Sequence, residues 1–171
     1  MSRLRILSLD PSLSVVGWCV ADVDGREIEV ARVGRVASSR EGTPVERTRL
    51  LCEEVRRVAY DYAVMPTGYS KLVTALIEVP SGRTAMRHRG GGHGLAVYGF
   101  AVGAIYEMFY SLLGHVETVD EGVWTGSRSK QVRKKIAVEH YEPLKRIKDP
   151  GMDISDEIGR ASCRERVFLL V

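Results

Sequence analysis

The first 37 residues constrain the fold most. Three strand-like segments follow one another there with only turns between them. Residues 4–9 form a short apolar run that ends on Asp10-Pro11-Ser12, so a buried strand stops at an acid. Pro11 cannot donate to a sheet, and Ser12-Leu13-Ser14 reads as a turn. Residues 15–20 make a second strand that contains Gly17. Asp24-Gly25 is a hairpin signal. Residues 27–36 alternate through Ile28, Val30, Arg32, Gly34 and Val36, which predicts a third, half-exposed strand. Connections this short join antiparallel neighbours, so the chain opens on a meander.

Beyond residue 40 the hydrophobic period changes. Thr43-Pro44-Val45-Glu46 is a helix start, with Thr as the cap, Pro at the first helical position and Glu at the third. Leu50, Leu51, Val55 and Val58 follow at helical spacing. Residues 71–79 predict a hydrophobic strand with one acid, Glu78, near its end. Residues 81–94 form a basic, glycine-rich loop. Residues 95–113 are apolar almost all round, which predicts a buried helix. In it Ala96, Gly99, Gly103 and Ala104 would permit close packing on a sheet. Residues 115–119 read as a short strand and 129–141 as a basic helix. A polar connection over 145–149 is stopped by Pro150-Gly151, and Asp153-Ile154-Ser155-Asp156 opens a last helix. A meander feeding alternating helices and strands predicts an α/β protein: a mixed sheet flanked by helices.

At 171 residues, with 44% hydrophobic and 27% charged residues, the chain fits one soluble globular domain. That excludes a disordered tail, a collagen-like fibre and a disulfide-stapled miniprotein. No apolar run approaches the ~20 residues that span a bilayer, so no membrane partner is expected. Met1-Ser2-Arg3-Leu4-Arg5 leads straight into the first strand without the pattern of a secretory signal. Cys19, Cys52 and Cys163 are scattered, which fits a reducing, cytoplasmic setting and no zinc site.

The net charge of +3 says little as a total, but its distribution says more. Arg83, Arg87 and Arg89 stand among the glycines of the 81–94 loop. Residues 128–148 hold eight Lys/Arg, among them Arg128, Lys130, Arg133 and Lys134, against Glu139 and Glu142, a local charge of +6. Concentrated cations of this kind are the footprint of a nucleic-acid face.

The acids are the strongest chemical signal. Asp10 and Glu78 each lie at the end of a predicted buried strand, where an uncompensated carboxylate is costly. If those strands are neighbours, the two groups converge. Asp153 and Asp156 share one helical face at i and i+3. Asp149 is an alternative partner, but Pro150-Gly151 breaks its register. Taken singly, Asp10 could cap a turn and the helix acids could complement a helix dipole. Taken together, four carboxylates suit hard divalent cations, Mg²⁺ or Mn²⁺. Two such ions serve phosphodiester hydrolysis.

These segments also resemble a known family. Ile6-Leu7-Ser8-Leu9-Asp10-Pro11-Ser12 with Gly17-Trp18-Cys19-Val20 resembles the first motif of the RuvC-type Holliday-junction resolvases. Leu76-Ile77-Glu78-Val79 is similar to the second acid motif, and Asp153-Ile154-Ser155-Asp156 to the start of the third. Val123-Trp124-Thr125-Gly126 with Ser129-Lys130 resembles the segment before the family's basic helix. The likeness runs to Asp156. It implies an RNase H-like fold, a five-stranded mixed sheet with β1–β3 antiparallel and β4 and β5 parallel. It implies a homodimer that cuts branched DNA, a four-way junction or fork, with two Mg²⁺ or Mn²⁺ ions. The metal ligands carry over to Asp10, Glu78, Asp153 and Asp156, and the active-site lysine to Lys130. Val79-Pro80-Ser81-Gly82-Arg83 lacks the aromatic that follows the second acid in bacterial members. The longer basic loop here looks closer to divergent phage resolvases, which implies a bacterial or phage-infected cell. The alternatives are an RNase H-like nuclease acting on RNA or hybrid duplexes, and a non-enzymatic nucleic-acid-binding module.

Residues 157–171 read differently. The run from Glu157-Ile158-Gly159-Arg160 to Arg166-Val167 resembles the translation of a common short-read sequencing adapter. Phe168 to Leu170 fit the adapter's index bases, and Val171 fits the constant codon that follows them. The expectation is a native domain over 1–156 with its final helix cut short, followed by a non-native tail. The alternative is a native amphipathic helix, and native coding sequence running on through Val171 at the source locus would sink the adapter reading.

Overall fold

The predicted meander and the alternating elements after it form one sheet. A computed structural model describes residues 4–24, 27–64, 71–79, 91–120 and 130–141. Five strands appear in chain order: β1 (Leu4–Pro11), β2 (Val15–Asp24), β3 (Glu27–Ala37), β4 (Lys71–Val79) and β5 (Val116–Asp120). Among the described residues three helices accompany them: α1 (Pro44–Val58), α2 (Gly91–Leu113) and α3 (Lys130–His140). A π-helical turn, Ala59–Val64, extends α1. The sheet order is β3-β2-β1-β4-β5. β1, β2 and β3 pair antiparallel, while β4 and β5 run parallel to β1.

The sheet is covered by α1 and α2 on one face. Leu7, Leu9, Val16, Trp18, Val20, Ala75 and Ile77 point there and meet Leu51 and Val55 of α1 and Val102, Ile105 and Phe109 of α2. The other face carries Cys19, Ala21 and Val30, packed against Ala137 of α3. Ile6, Val23, Leu76 and Val119 continue that face toward β5. The alternation of each strand therefore feeds two apolar layers, and the result is a three-layer sandwich.

α1 begins as its sequence predicts. Thr43 is the cap, Pro44 opens the helix, and Thr43 and Glu46 form a reciprocal capping box. α2 ends at Gly114, whose φ of +72° suits glycine. Its N–H donates to the Tyr110 carbonyl at 2.8 Å.

Two expectations need correction. Alternation through β3 does not hold along its length. Val33 pairs with Cys19 and Arg32 with Val20, but Ala21 pairs with Val30, so Ala31 is an extra residue. The bulge flips the strand: Ile28 and Val30 join the α3 face, whereas Gly34 and Val36 lie on the α1 face. Nor is α2 buried all round. Ala101, Val102, Ile105, Met108 and Phe109 are buried, but Gly94, Ala96, Gly99, Phe100, Gly103 and Tyr110 are exposed. Gly99 and Gly103 lie on the open side, where an added Cβ would meet nothing within 4 Å. Ala96, Gly99 and Gly103 therefore do not serve packing on the sheet, whereas Ala104 is half-buried. By length and composition, Gly94–Leu113 is also a helix long and apolar enough to cross a bilayer. That corrects the expectation that no apolar run approaches such a length, since the few polar residues in the run leave its average apolar. The buried side of this helix packs on the sheet and α1.

Candidate functional site

The site grows from the register of β1 against β4. Ser8 pairs with Leu76 and Leu9 with Ile77. One residue further on, Asp10 and Glu78 stand side by side at the carboxyl ends of two neighbouring parallel strands. Open α/β sheets bind ligands outside such strand ends. Both acids belong to the α3 face, because Ile6 and Leu76, in step with them, are buried on that side. Glu78 is buried, at 8% exposure, and Asp10 is half-buried. The strands carry the acids in this way because Ile6-Leu7-Ser8-Leu9 and Ala75-Leu76-Ile77 bury both of their faces. The chain has no freedom to turn before the carboxylate.

On the other side of Asp10 stands Gly17, its partner in β2, and opposite Gly17 stands Arg35 of β3. With the β1–β4 register continued one residue past Leu9 and Ile77, one row across the sheet reads Arg35, Gly17, Asp10, Glu78, Val119. Arg35 is exposed. The plain alternation read from the sequence gave no reason to single it out. The signal that could have found it is the bulge at Ala31, which sequence does not mark.

The turn after Asp10 is tied down. Pro11 pairs with Val16. The Ser12 hydroxyl donates to the Val15 carbonyl at 2.7 Å and accepts from the Val15 N–H at 3.0 Å. Ser38 holds the tip, its hydroxyl donating to the Leu13 carbonyl at 2.7 Å and its N–H to the Ser14 carbonyl at 3.0 Å. The Arg47 guanidinium, from α1, donates to the Leu13 carbonyl at 3.2 Å and to the Ser38 hydroxyl at 3.1 Å. A helix, a strand end and the turn itself therefore fix the backbone that leaves Asp10. A site of this kind needs such support to hold its geometry.

Of the other predicted site residues, Lys130 is the first residue of α3 and Arg133 and Lys134 follow in its opening turns. Lys134 is exposed. α3 packs on the acid-bearing face through Ala137, so these positions share that side of the sheet with Asp10 and Glu78. Asp153, Asp156, Arg83, Arg87, Arg89 and Arg128 lie outside the described residues, as does the 157–171 tail. Among the described residues no three potential metal-ligating side chains cluster.

No family model and no curated protein matches the chain. Solved structures do. Thermus thermophilus RuvC in complex with a Holliday junction substrate aligns over 97% of this chain and 96% of its own, with a TM-score of 0.72 at 14% identity. A second Thermus thermophilus RuvC structure gives a TM-score of 0.70 at 16% identity, with the same coverage of both chains. The yeast mitochondrial Holliday junction resolvase Ydc2 gives 0.64 at 12% identity, over 99% of this chain and 80% of that one. The strand order, the antiparallel-then-parallel pairing and these full-length superpositions agree: the chain has the RNase H-like fold of the RuvC-type Holliday-junction resolvases.

Proposed function

We propose that this chain is a metal-dependent, structure-selective endonuclease that resolves Holliday junctions or related branched DNA. One observation carries the reading: Asp10 and Glu78 are adjacent at the carboxyl ends of β1 and β4, in a sheet of RuvC type. Like charges on neighbouring strands repel, and Glu78 is buried besides. A hard cation held by these acids would offset their repulsion, and an all-carboxylate donor set suits Mg²⁺ or Mn²⁺. We assign Asp10, Glu78, Asp153 and Asp156 as ligands for two such ions. When bound, these ions supply an activated water and stabilise the leaving oxygen of a phosphodiester.

The chain's own residues do the rest. The four acids hold and orient the site. Lys130 offsets charge developing on the phosphate. Arg83, Arg87, Arg89, Arg128, Lys130, Arg133 and Lys134 bind the DNA backbone, which gives affinity without reading sequence. The Holliday junction bound to the superposed Thermus RuvC supports branched DNA as the substrate. The uncovered apolar side of α2 supports a homodimer. The setting proposed is the cytoplasm of a bacterial or phage-infected cell.

The test is a cleavage panel of four-way junction, fork, plain duplex and RNA–DNA hybrid, with Mg²⁺ and with EDTA. The wild type is expected to cut branched DNA only with the metal. Asp10→Asn is expected to lose cleavage by at least a hundredfold and to keep junction binding. Mg²⁺-dependent cutting by purified Asp10→Asn would sink the assignment. Binding without cleavage of anything would leave a non-enzymatic module, and preference for the hybrid would make the enzyme a ribonuclease.

A further inference from the structure

Arg35 is absorbed by nothing above, yet it stands in the same sheet row as the acid pair. Its neighbour Val33 packs with Cys19 and Ala21 on the α3 face, and Arg35, two residues on, shares that face. Only Gly17 stands between it and Asp10, and glycine places no side chain in the row. Two interstrand spacings put the Arg35 backbone about 10 Å from that of Asp10. The guanidinium is exposed and engages none of the described residues in an ion pair. A buried salt bridge or a packing role therefore does not account for it. On the same strand, Arg32 is equally exposed but pairs with Val20, so it belongs to the α1 face. Arg32 and Arg35 lie in one unbroken stretch of pairing, Val20 to Gly17, and their three-residue spacing gives them opposite sides of the sheet.

We propose that Arg35 is a DNA-binding residue: it contacts a backbone phosphate of the strand that lies over the acid pair. This rests on the nuclease reading and adds to it a residue on the opposite flank of Asp10 from Glu78. The bound strand then crosses the row from the acids over Gly17 to β3. A cation at that distance is close enough to act on a phosphate flanking the scissile one without touching the reacting atoms. It therefore supplies affinity and register rather than chemistry.

The experiment measures binding of the full chain to a fluorescent four-way junction in Ca²⁺ across a salt series, then cleavage in Mg²⁺. Arg35→Ala is expected to weaken binding several-fold and to lower the slope of log affinity against log salt by about 1, the share of one phosphate contact. KM should rise with kcat within twofold. Arg35→Lys should restore most of the slope. Arg32→Ala, with the same charge lost from the other face, should leave slope and KM unchanged. Circular dichroism and thermal midpoint confirm that each variant is folded. If wild type binds and cuts the junction but Arg35→Ala matches it, or Arg32→Ala loses as much, the proposal for Arg35 fails and the nuclease reading stands. If wild type neither binds nor cuts branched DNA, both fail.

Discussion

Trp18 and Gly34 show how closely single residues are specified here. Trp18 points into the main core, at 7% exposure, and its indole lies across its β3 partner, Gly34. A Cβ on Gly34 would sit 2.5 Å from Trp18 Cζ2 and 2.7 Å from Cε2. Both atoms belong to a rigid ring in a packed layer, so neither yields cheaply. Gly34→Ala is expected to cost about 1–3 kcal/mol, the usual range for overpacking. Urea unfolding followed by Trp fluorescence measures it, and an unchanged midpoint would show that the indole has room to move. Gly34 was legible in the sequence only as one member of an alternating strand. The ring that demands a glycine comes from a different strand.

At the scale of elements, α1 was almost fully legible. Thr43-Pro44-Val45-Glu46 announces its start, and the box forms as expected. The Thr43 N–H donates to Glu46 Oε2 at 2.7 Å, and the Glu46 N–H donates to Thr43 Oγ1 at 3.3 Å. The backbone hydrogen bond from Thr43, followed by that from its hydroxyl, holds the Glu46 carboxyl below its ordinary range. A lowered folded-state value means that the contribution is present above the ordinary glutamate range. It is lost as pH falls through the folded value. Thr43→Ala is expected to cost about 1 kcal/mol at neutral pH. Its difference from wild type should shrink as pH drops below the glutamate range, as read from urea midpoints between pH 7 and pH 3. A gap that stays constant with pH would show that the bond from the Thr43 hydroxyl to the Glu46 carboxylate contributes nothing, since the variant keeps the backbone N–H bond to that carboxylate. β3 was legible as a strand but not in its facing. A bulge adds one residue without a residue type that marks it, so alternation fails silently.

At the scale of the molecule, α2 is half a core helix. One side carries Val102, Ile105 and Phe109 into the sheet. The other leaves Phe100 47% and Tyr110 50% exposed beside Ala96, Gly99 and Gly103. Tyr106 and Tyr110 stack with ring centroids 6.1 Å apart at its edge. Small residues flanked by aromatics let a second helix approach closely, and a second copy of this chain offers the same surface in two-fold relation. Wild type is expected to run as a dimer in size exclusion with light scattering, and Phe100→Glu as a folded monomer. A monomeric wild type, or a dimeric Phe100→Glu, would remove α2 from the interface.

The sequence by itself determined the element order, the meander, the cap of α1 and the acids at the ends of β1 and β4. Each of these rests on contacts within a few residues: period, turn chemistry and the cost of a charge at the end of a buried strand. Only the tertiary structure decided that β4 lies beside β1, which brings Asp10 and Glu78 to neighbouring strand ends. It also decided that Arg35 shares their face of the sheet and that α2 keeps one side exposed. Strand neighbours, a bulge's effect on facing and the covering of a helix depend on partners far along the chain, and local pattern holds no record of which partner wins.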